Sequence, residues 1–245
     1  MFLITYTRQL WEFYQILYNM TYREFYIKIL KRLNKSATQD YGNIDKDIVK
    51  EAGNKALNDW IRRQFHGGNQ YKEGQEESIQ RVDDLQILLN PEPHLLKFEN
   101  KGVYSLSSKI PNDYRYYNSF YFNYNINDNC KNKGLVYSSL REESNRDILL
   151  STAGTMPSKD FEQSFHTIVG NRIKLYHNKE FDPKIGYLIY YRNPKLYDPY
   201  KADEVFEFKD DIVELIADET AKIIAGDLDN VLQQQRLSGQ VETNN

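Results

Sequence analysis

The sequence predicts an α+β fold: a helical bundle formed by the N- and C-terminal segments, with an inserted antiparallel β-sandwich or barrel-like domain. Three observations carry this. Residues 207–225 hold an apolar stripe at helical spacing. Residues 21–89 hold further stretches of the same period. Between them, short apolar and aromatic runs alternate and are punctuated by Gly, Pro and Asn. The parts are residues 1–92 (helical), 93–205 (the β-rich insertion), 206–237 (helices completing the bundle) and 238–245 (a polar tail, expected to be flexible).

The C-terminal stretch is the element on which the others depend. Ile212, Leu215, Ile216, Glu219 and Ile223 fall on one helical face, with Glu219 as its one charged break, and Val213, Thr220 and Ile224 widen it. Glu207, Asp210 and Asp211 crowd the start, where the helix dipole favours acids. Gly226 is a plausible stop.

Near the other end, Thr21 and Glu24 have the spacing of a capping box. Tyr22, Phe25, Tyr26, Ile29, Leu30 and Leu33 then form one face, while Lys28, Lys31, Arg32 and Lys35 stay in water. A second helix is predicted over 46–65, with Ile48, Ala52, Ala56, Leu57, Trp60, Ile61 and Phe65 along one side and Gly67 and Gly68 as its stop. A third is predicted over 76–89, ended by Asn90 and Pro91. Ahead of these, residues 1–19 mix Leu3, Ile4, Leu10, Trp11, Phe13 and Ile16 with Arg8, Gln9 and Glu12. They fit an amphipathic helix docking on a neighbour, or an extension ahead of a native start at Met20. No run of about 20 apolar residues occurs, so no membrane span is expected.

In the insertion, short strands are predicted around Val103–Leu106, at 114–124, around Leu135–Leu140 and around Tyr187–Tyr191. Phe165, Thr167 and Val169 face Ile173, Leu175 and Tyr176 across Gly170 and Asn171, a favourable two-residue turn because both tolerate positive φ.

Composition narrows the function. The chain has 20 Tyr and 12 Phe, which fit surface meant to meet another protein as well as ordinary strand filling. A net charge of −3 argues against coating nucleic acid. The single cysteine, Cys130, excludes a disulfide within this sequence, and the four histidines lack zinc spacing. No phosphate-binding glycine loop or nucleophile elbow is present. Carboxylates run along helix faces and form no paired acids. The chain therefore reads as a non-enzyme with no cofactor and no metal.

The stretch Glu207 to Ala225, with Gly226, Asp227, Leu228, Asp229, Asn230 and the glutamines after it, resembles the C-terminus of virion structural proteins in crAss-like tailed bacteriophages. Met20, Thr21, Tyr22, Arg23, Glu24, Phe25 and Tyr26, and Lys55, Ala56, Leu57, Asn58, Asp59 and Trp60, fit the same likeness. The order of helices, β insertion and closing helix is similar to that of head–tail connector (ring or adaptor) proteins. The resemblance implies a virion subunit at the head–tail junction, assembled in the host cytoplasm. It implies a closed ring of about twelve copies. Its partners would be copies of itself, the portal protein and other tail or ring proteins, with DNA passing through the lumen without sequence-specific binding. The residues proposed for contact between subunits are Trp11, Phe13, Tyr14, Tyr22, Phe25, Tyr26, Gln233, Gln234 and Gln235. The competing class is a binding module in which Tyr116, Tyr117, Tyr121 and Tyr124 recognise a glycan or peptide, with the helices as a mount.

Overall fold

A computed structural model describes residues 19–36, 44–66, 83–90, 92–97, 99–100, 105–125, 133–158, 160–177, 183 and 185–227. They divide into two compact units, one drawn from Met1–Ile87 with Pro194–Asn245 and the other from Leu88–Asn193.

The first unit is helical. Helix α1 (Tyr22–Ser36) starts at the expected capping box. The Thr21 N–H donates to Glu24 Oε2 at 2.9 Å and the Glu24 N–H donates to Thr21 Oγ1 at 3.2 Å, so each side chain satisfies a backbone group left open at the helix start. Tyr22, Phe25, Ile29 and Leu33 are buried. Helix α2 (Lys46–His66) buries Val49, Ala52, Ala56, Leu57, Trp60 and Ile61. Ile48, expected on that face, is instead 47% exposed. Val49 lies 100° further round the helix and takes the inward position. Of the predicted third helix, the part before residue 83 lies outside the described residues, and 83–86 are helical.

The last helix lies against both α1 and α2. This helix, α4, spans Asp210–Asp227 and follows the short α3 (Arg146–Ser151) in the chain. It buries Ile212, Val213, Ile216, Ala217, Thr220, Ala221, Ile224 and Ala225. Its charged break is a contact point: Glu219 meets Arg63 of α2 at 3.6 Å. Lys28 and Arg32, expected in water, pair with α4 instead, Lys28 with Glu214 and Arg32 with both Glu214 and Asp218.

The stretch after Pro194, which the sequence groups with the strands, packs among these helices. Tyr197 and Phe206 are buried against Tyr22 and Phe25, with ring centroids 4.8 to 5.2 Å apart across the four pairs. The edge-to-face and tilted geometries set positive ring edges against negative faces.

The second unit is a mixed sheet: β1 (His94–Lys97), β2 (Glu99–Asn100), β3 (Ser105–Lys109), β4 (Tyr114–Asn125), β5 (Lys133–Leu140), β6 (Ser164–Val169), β7 (Arg172–Tyr176) and β8 (Ile185–Arg192). Their order is β1-β8-β4-β5-β6-β7-β3-β2, and β1 also lies near β3, so the sheet curls toward a barrel. The fold is therefore α+β. The expected all-antiparallel pairing is corrected at one place, where β5 and β6 run parallel, with Ser138 opposite Ser164 and Leu140 opposite His166. A parallel pair needs a crossover of about a dozen residues or more. Here it is the stretch 141–163, which holds a 3₁₀ turn (Glu143–Asn145) and α3 (Arg146–Ser151).

The β6–β7 turn falls where the sequence puts it. Gly170 has φ +61°, but Asn171 is not left-handed, so the turn has the type II′ pattern, with one positive φ. The inner face of the sheet is the core of this unit: Leu96, Leu106, Phe120, Phe122, Val136, Ile173, Leu175, Leu188 and Tyr190 pack together.

Candidate functional site

Strand pleating sends alternate side chains to opposite faces. In β8, Leu188 and Tyr190 point into the core, so Ile185, Tyr187, Ile189 and Tyr191 lie on the other side. In β4, Phe120 and Phe122 point in and Tyr121 and Asn123 out. In β5, Val136 is buried while Leu135 and Tyr137 are exposed.

Register then lines up one row across four strands. Leu95 of β1 pairs with Tyr187 of β8, Tyr187 with Tyr121 of β4, and Tyr121 with Tyr137 of β5. The Tyr121 and Tyr187 rings stack 5.0 Å apart at 12°, and the Tyr121 and Tyr137 rings lie 5.6 Å apart at 50°. Asn123 donates a 3.3 Å hydrogen bond to the Tyr187 hydroxyl. At the two ends of the row, Tyr137 is 66% exposed and Leu95 56%. Leu135 and Ile185 add to the exposed apolar area beside it. Cross-strand aromatic pairs of this kind contribute about 0.2–1 kcal/mol each to a sheet. That small gain does not require tyrosine to stand in water at Tyr137, so the row is best explained by what it can meet.

The opposite half of the same outer face is covered. Phe165, Thr167, Lys174 and Tyr176 of β6 and β7 lie under the 141–163 crossover, where Glu143 reaches Thr167, Lys174 and Tyr176. The half that carries the Leu95–Tyr187–Tyr121–Tyr137 row has no such cover among the described residues.

The sites expected from sequence fall out differently. Tyr22 and Phe25 are interior residues of the helical unit, so their rings are not offered to another subunit. Nothing in the local sequence shows that Tyr197 and Phe206 close over them. Tyr26 is half-buried, and its hydroxyl donates to the Ile44 carbonyl at 3.0 Å. Trp11, Phe13, Tyr14, Gln233, Gln234 and Gln235 lie outside the described residues. Of the tyrosines weighed for glycan recognition, Tyr121 lies in the row. Tyr116 is half-buried beside Arg115, whose guanidinium is 5.6 Å from its ring centroid. Tyr117 turns inward against His166 because the register slips between Tyr117 and Ser119. Tyr137 and Tyr187 are the residues that sequence parity missed. The signal for them is alternation within their own strands, which becomes a row only once the register is known.

One pair has the outline of catalytic chemistry. His166 Nδ1 lies 2.9 Å from Ser138 Oγ. Both residues are buried, and the His166 ring packs against Phe120 and Tyr117 at 4.9 and 5.2 Å. Burial pushes the imidazole down to about 3, so it stays neutral near pH 7. Among the described residues its Nε2 has no hydrogen-bond partner, so no carboxylate there orients the ring. A neutral, enclosed ring of this kind suits core packing better than proton transfer to a bound substrate.

Among the described residues, no group of three or more His, Cys, Asp or Glu could hold a metal ion, and no helix is long and apolar enough to cross a membrane. No family model matches the chain, and no curated protein matches it significantly.

Proposed function

We propose that this chain is a non-enzymatic structural subunit of a tailed-phage virion, a head–tail connector that joins copies of itself and its neighbours through the uncovered aromatic half of its sheet. The observation that carries the reading is the registered row Leu95–Tyr187–Tyr121–Tyr137, apolar, exposed at both ends and without a charged member. Tyrosine is enriched in protein interfaces because the ring excludes water while the hydroxyl still hydrogen-bonds. The likeness of the two chain ends to connector proteins supplies the specific setting. In this reading the N- and C-terminal helices form one bundle, supported by the contacts of α4 with α1 and α2. Head-to-tail contacts of one surface with a different one would close as a ring.

The test is the assembly state of the full chain and of Tyr121→Ser/Tyr137→Ser, by sedimentation and electron microscopy. The reading expects rings from the wild type and at least about tenfold weaker association in the variant, with the melting temperature within a few degrees. A wild type that stays monomeric at high concentration and is absent from purified particles would overturn it.

A second reading is favoured by the Tyr121–Tyr187 stack beside the Asn123 amide. Aromatic rings next to an amide donor also suit a glycan, whose apolar faces stack while its hydroxyls hydrogen-bond. A glycan array with the monomeric chain separates the two.

A further inference from the structure

The crossover over β6 and β7 is held in an uncommon way. Neither the Glu143–Asn145 turn nor α3 contributes a buried residue. Ile148 is 66% exposed, and Phe161 is 76% exposed. Within 142–157 Pro157 is the one buried residue, and Leu149 and Leu150 are half-buried, so apolar burial fixes the segment at few points. Its two ends are tied by backbone bonds, from the Arg141 N–H to the His166 carbonyl at 2.9 Å and between Ser158 and Gln163 at 3.0 and 3.1 Å. Between those ties, one carboxylate reaches the sheet. Glu143 accepts from Lys174 Nζ at 2.8 Å, from the Tyr176 hydroxyl, 2.9 and 3.0 Å from its two oxygens, and from the Thr167 hydroxyl. The Arg146 guanidinium stands 4.0 Å away and is engaged mainly by Asp147.

The donors and the acceptor differ in origin. Thr167 and Lys174 face each other across the β6–β7 pair, and Tyr176 follows two residues on, on the same face. A rigid hairpin thus presents an ammonium and two hydroxyls toward one point. The acceptor comes from a three-residue turn in an exposed segment. Convergent charge-assisted donors of this kind recognise carboxylate and phosphate oxygens in general.

We infer that Thr167, Lys174 and Tyr176 form an oxyanion-binding site, filled in this state by the chain's own Glu143, and that the segment 142–157 is its displaceable cover. The ligand is a carboxylate or phosphate group able to replace Glu143. Its arrival would free the segment and uncover the second half of the outer sheet face. Segments held by few apolar contacts are the ones that open at low cost.

The experiment empties the site in the full chain. Glu143→Ala is titrated with inorganic phosphate and, separately, with acetate at constant ionic strength, with calorimetry and melting temperature as readouts. Saturable binding is expected in Glu143→Ala, at least about tenfold weaker binding in the wild type, and loss in Glu143→Ala/Lys174→Met. Response to acetate alone identifies a carboxylate ligand, and response to phosphate alone identifies a phosphate. Should Glu143→Ala fail to fold, Glu143→Gln is followed by hydrogen exchange. Amides of 142–157 are then expected to exchange about tenfold faster while β6 and β7 are unchanged. Absence of binding to either anion in folded Glu143→Ala, equal binding by the wild type, or unchanged exchange in Glu143→Gln overturns the inference.

Discussion

The Asn54 carboxamide grips the backbone of Tyr197 on both sides: Asn54 Oδ1 accepts from the Tyr197 N–H at 2.8 Å, and Asn54 Nδ2 donates to the Tyr197 carbonyl at 3.0 Å. Tyr197 lies in a stretch without regular structure, so no strand or helix would otherwise satisfy those groups. The grip seats the Tyr197 ring beside Tyr22 and Phe25, and so ties the chain after the sheet to the helices before it. Asn54→Ala leaves both backbone groups unpaired. It is expected to cost about 2 kcal/mol in urea unfolding, at the cost of a buried unsatisfied group. Asn54→Asp keeps the acceptor but sets a carboxylate against a carbonyl, and should be no better. A loss under about 0.5 kcal/mol in both would show that water replaces the grip.

Gly53, one residue earlier, is a glycine inside a helix, where it ordinarily costs about 1 kcal/mol relative to alanine. Its place is explained by the same ring. A Cβ there would lie 3.1 Å from Tyr197 Cδ1 and 3.4 Å from Phe25 Cε1. Both rings are fully buried and packed against Phe206, so neither can shift without moving its neighbours. Overpacking should outweigh the gain in helix propensity. Gly53→Ala is expected to lower stability by about 1 kcal/mol, and Gly53→Val by considerably more. A melting temperature above that of the wild type for Gly53→Ala would mean that the ring cluster has slack.

These two positions also show what the sequence could reveal. Helices α1, α2 and α4 are legible from their own periodicity, as is the capping box at Thr21 and Glu24, because these signals are local. Gly53 and Asn54 carry no local sign of their role, because their partner is about 140 residues away. The same limit applies to the surface. Alternation located Tyr121, Tyr137 and Tyr187 in strands. It could not say that they share a row, since that depends on pairings between β4, β5 and β8. Nor could it say which half of the face the 141–163 crossover would cover. The parallel β5–β6 pair was hidden for a related reason: α3 is too short, and too exposed, to leave an apolar stripe.

Arg32 is the centre of the charge contacts between α1 and α4. Its guanidinium meets Glu214 and Asp218, which stand one turn apart, and it is less exposed than Lys28. Arg32→Met leaves two neighbouring carboxylates without their main cation. It is expected to cost about 2 kcal/mol, whereas Lys28→Ala should cost under about 1 kcal/mol. Burial pushes the Glu214 carboxyl up, but hydrogen bonds from Lys28 and Arg32 outweigh it and hold the group below its usual 4.5. The stability it supplies is therefore complete above pH 4.5 and is lost as pH falls through the lower folded value. Denaturant unfolding of Glu214→Gln should show a flatter acid limb than the wild type. An unchanged acid limb would mean that Glu214 titrates alike folded and unfolded.

His166 governs a separate window. Its ring is pushed from 6.5 to about 3 by burial, so the unfolded chain takes up a proton that the folded chain refuses. Stability supplied by the neutral ring is whole above pH 6.5 and falls as pH drops toward 3. The slope is about 1.4 kcal/mol for each pH unit once the unfolded histidine is charged. Between pH 6.5 and 4.5 this loss precedes that of Glu214. His166→Gln keeps a polar group near the Ser138 hydroxyl but cannot titrate. The variant is expected to be less stable than the wild type at pH 7.5, because an amide replaces a ring packed on Phe120 and Tyr117. The gap should then narrow by about 2 kcal/mol by pH 5. Parallel stability curves for the two proteins from pH 7.5 to 5 would show that the ring reaches solvent often enough to be protonated in the folded state, and the closed core drawn around it would have to be reopened.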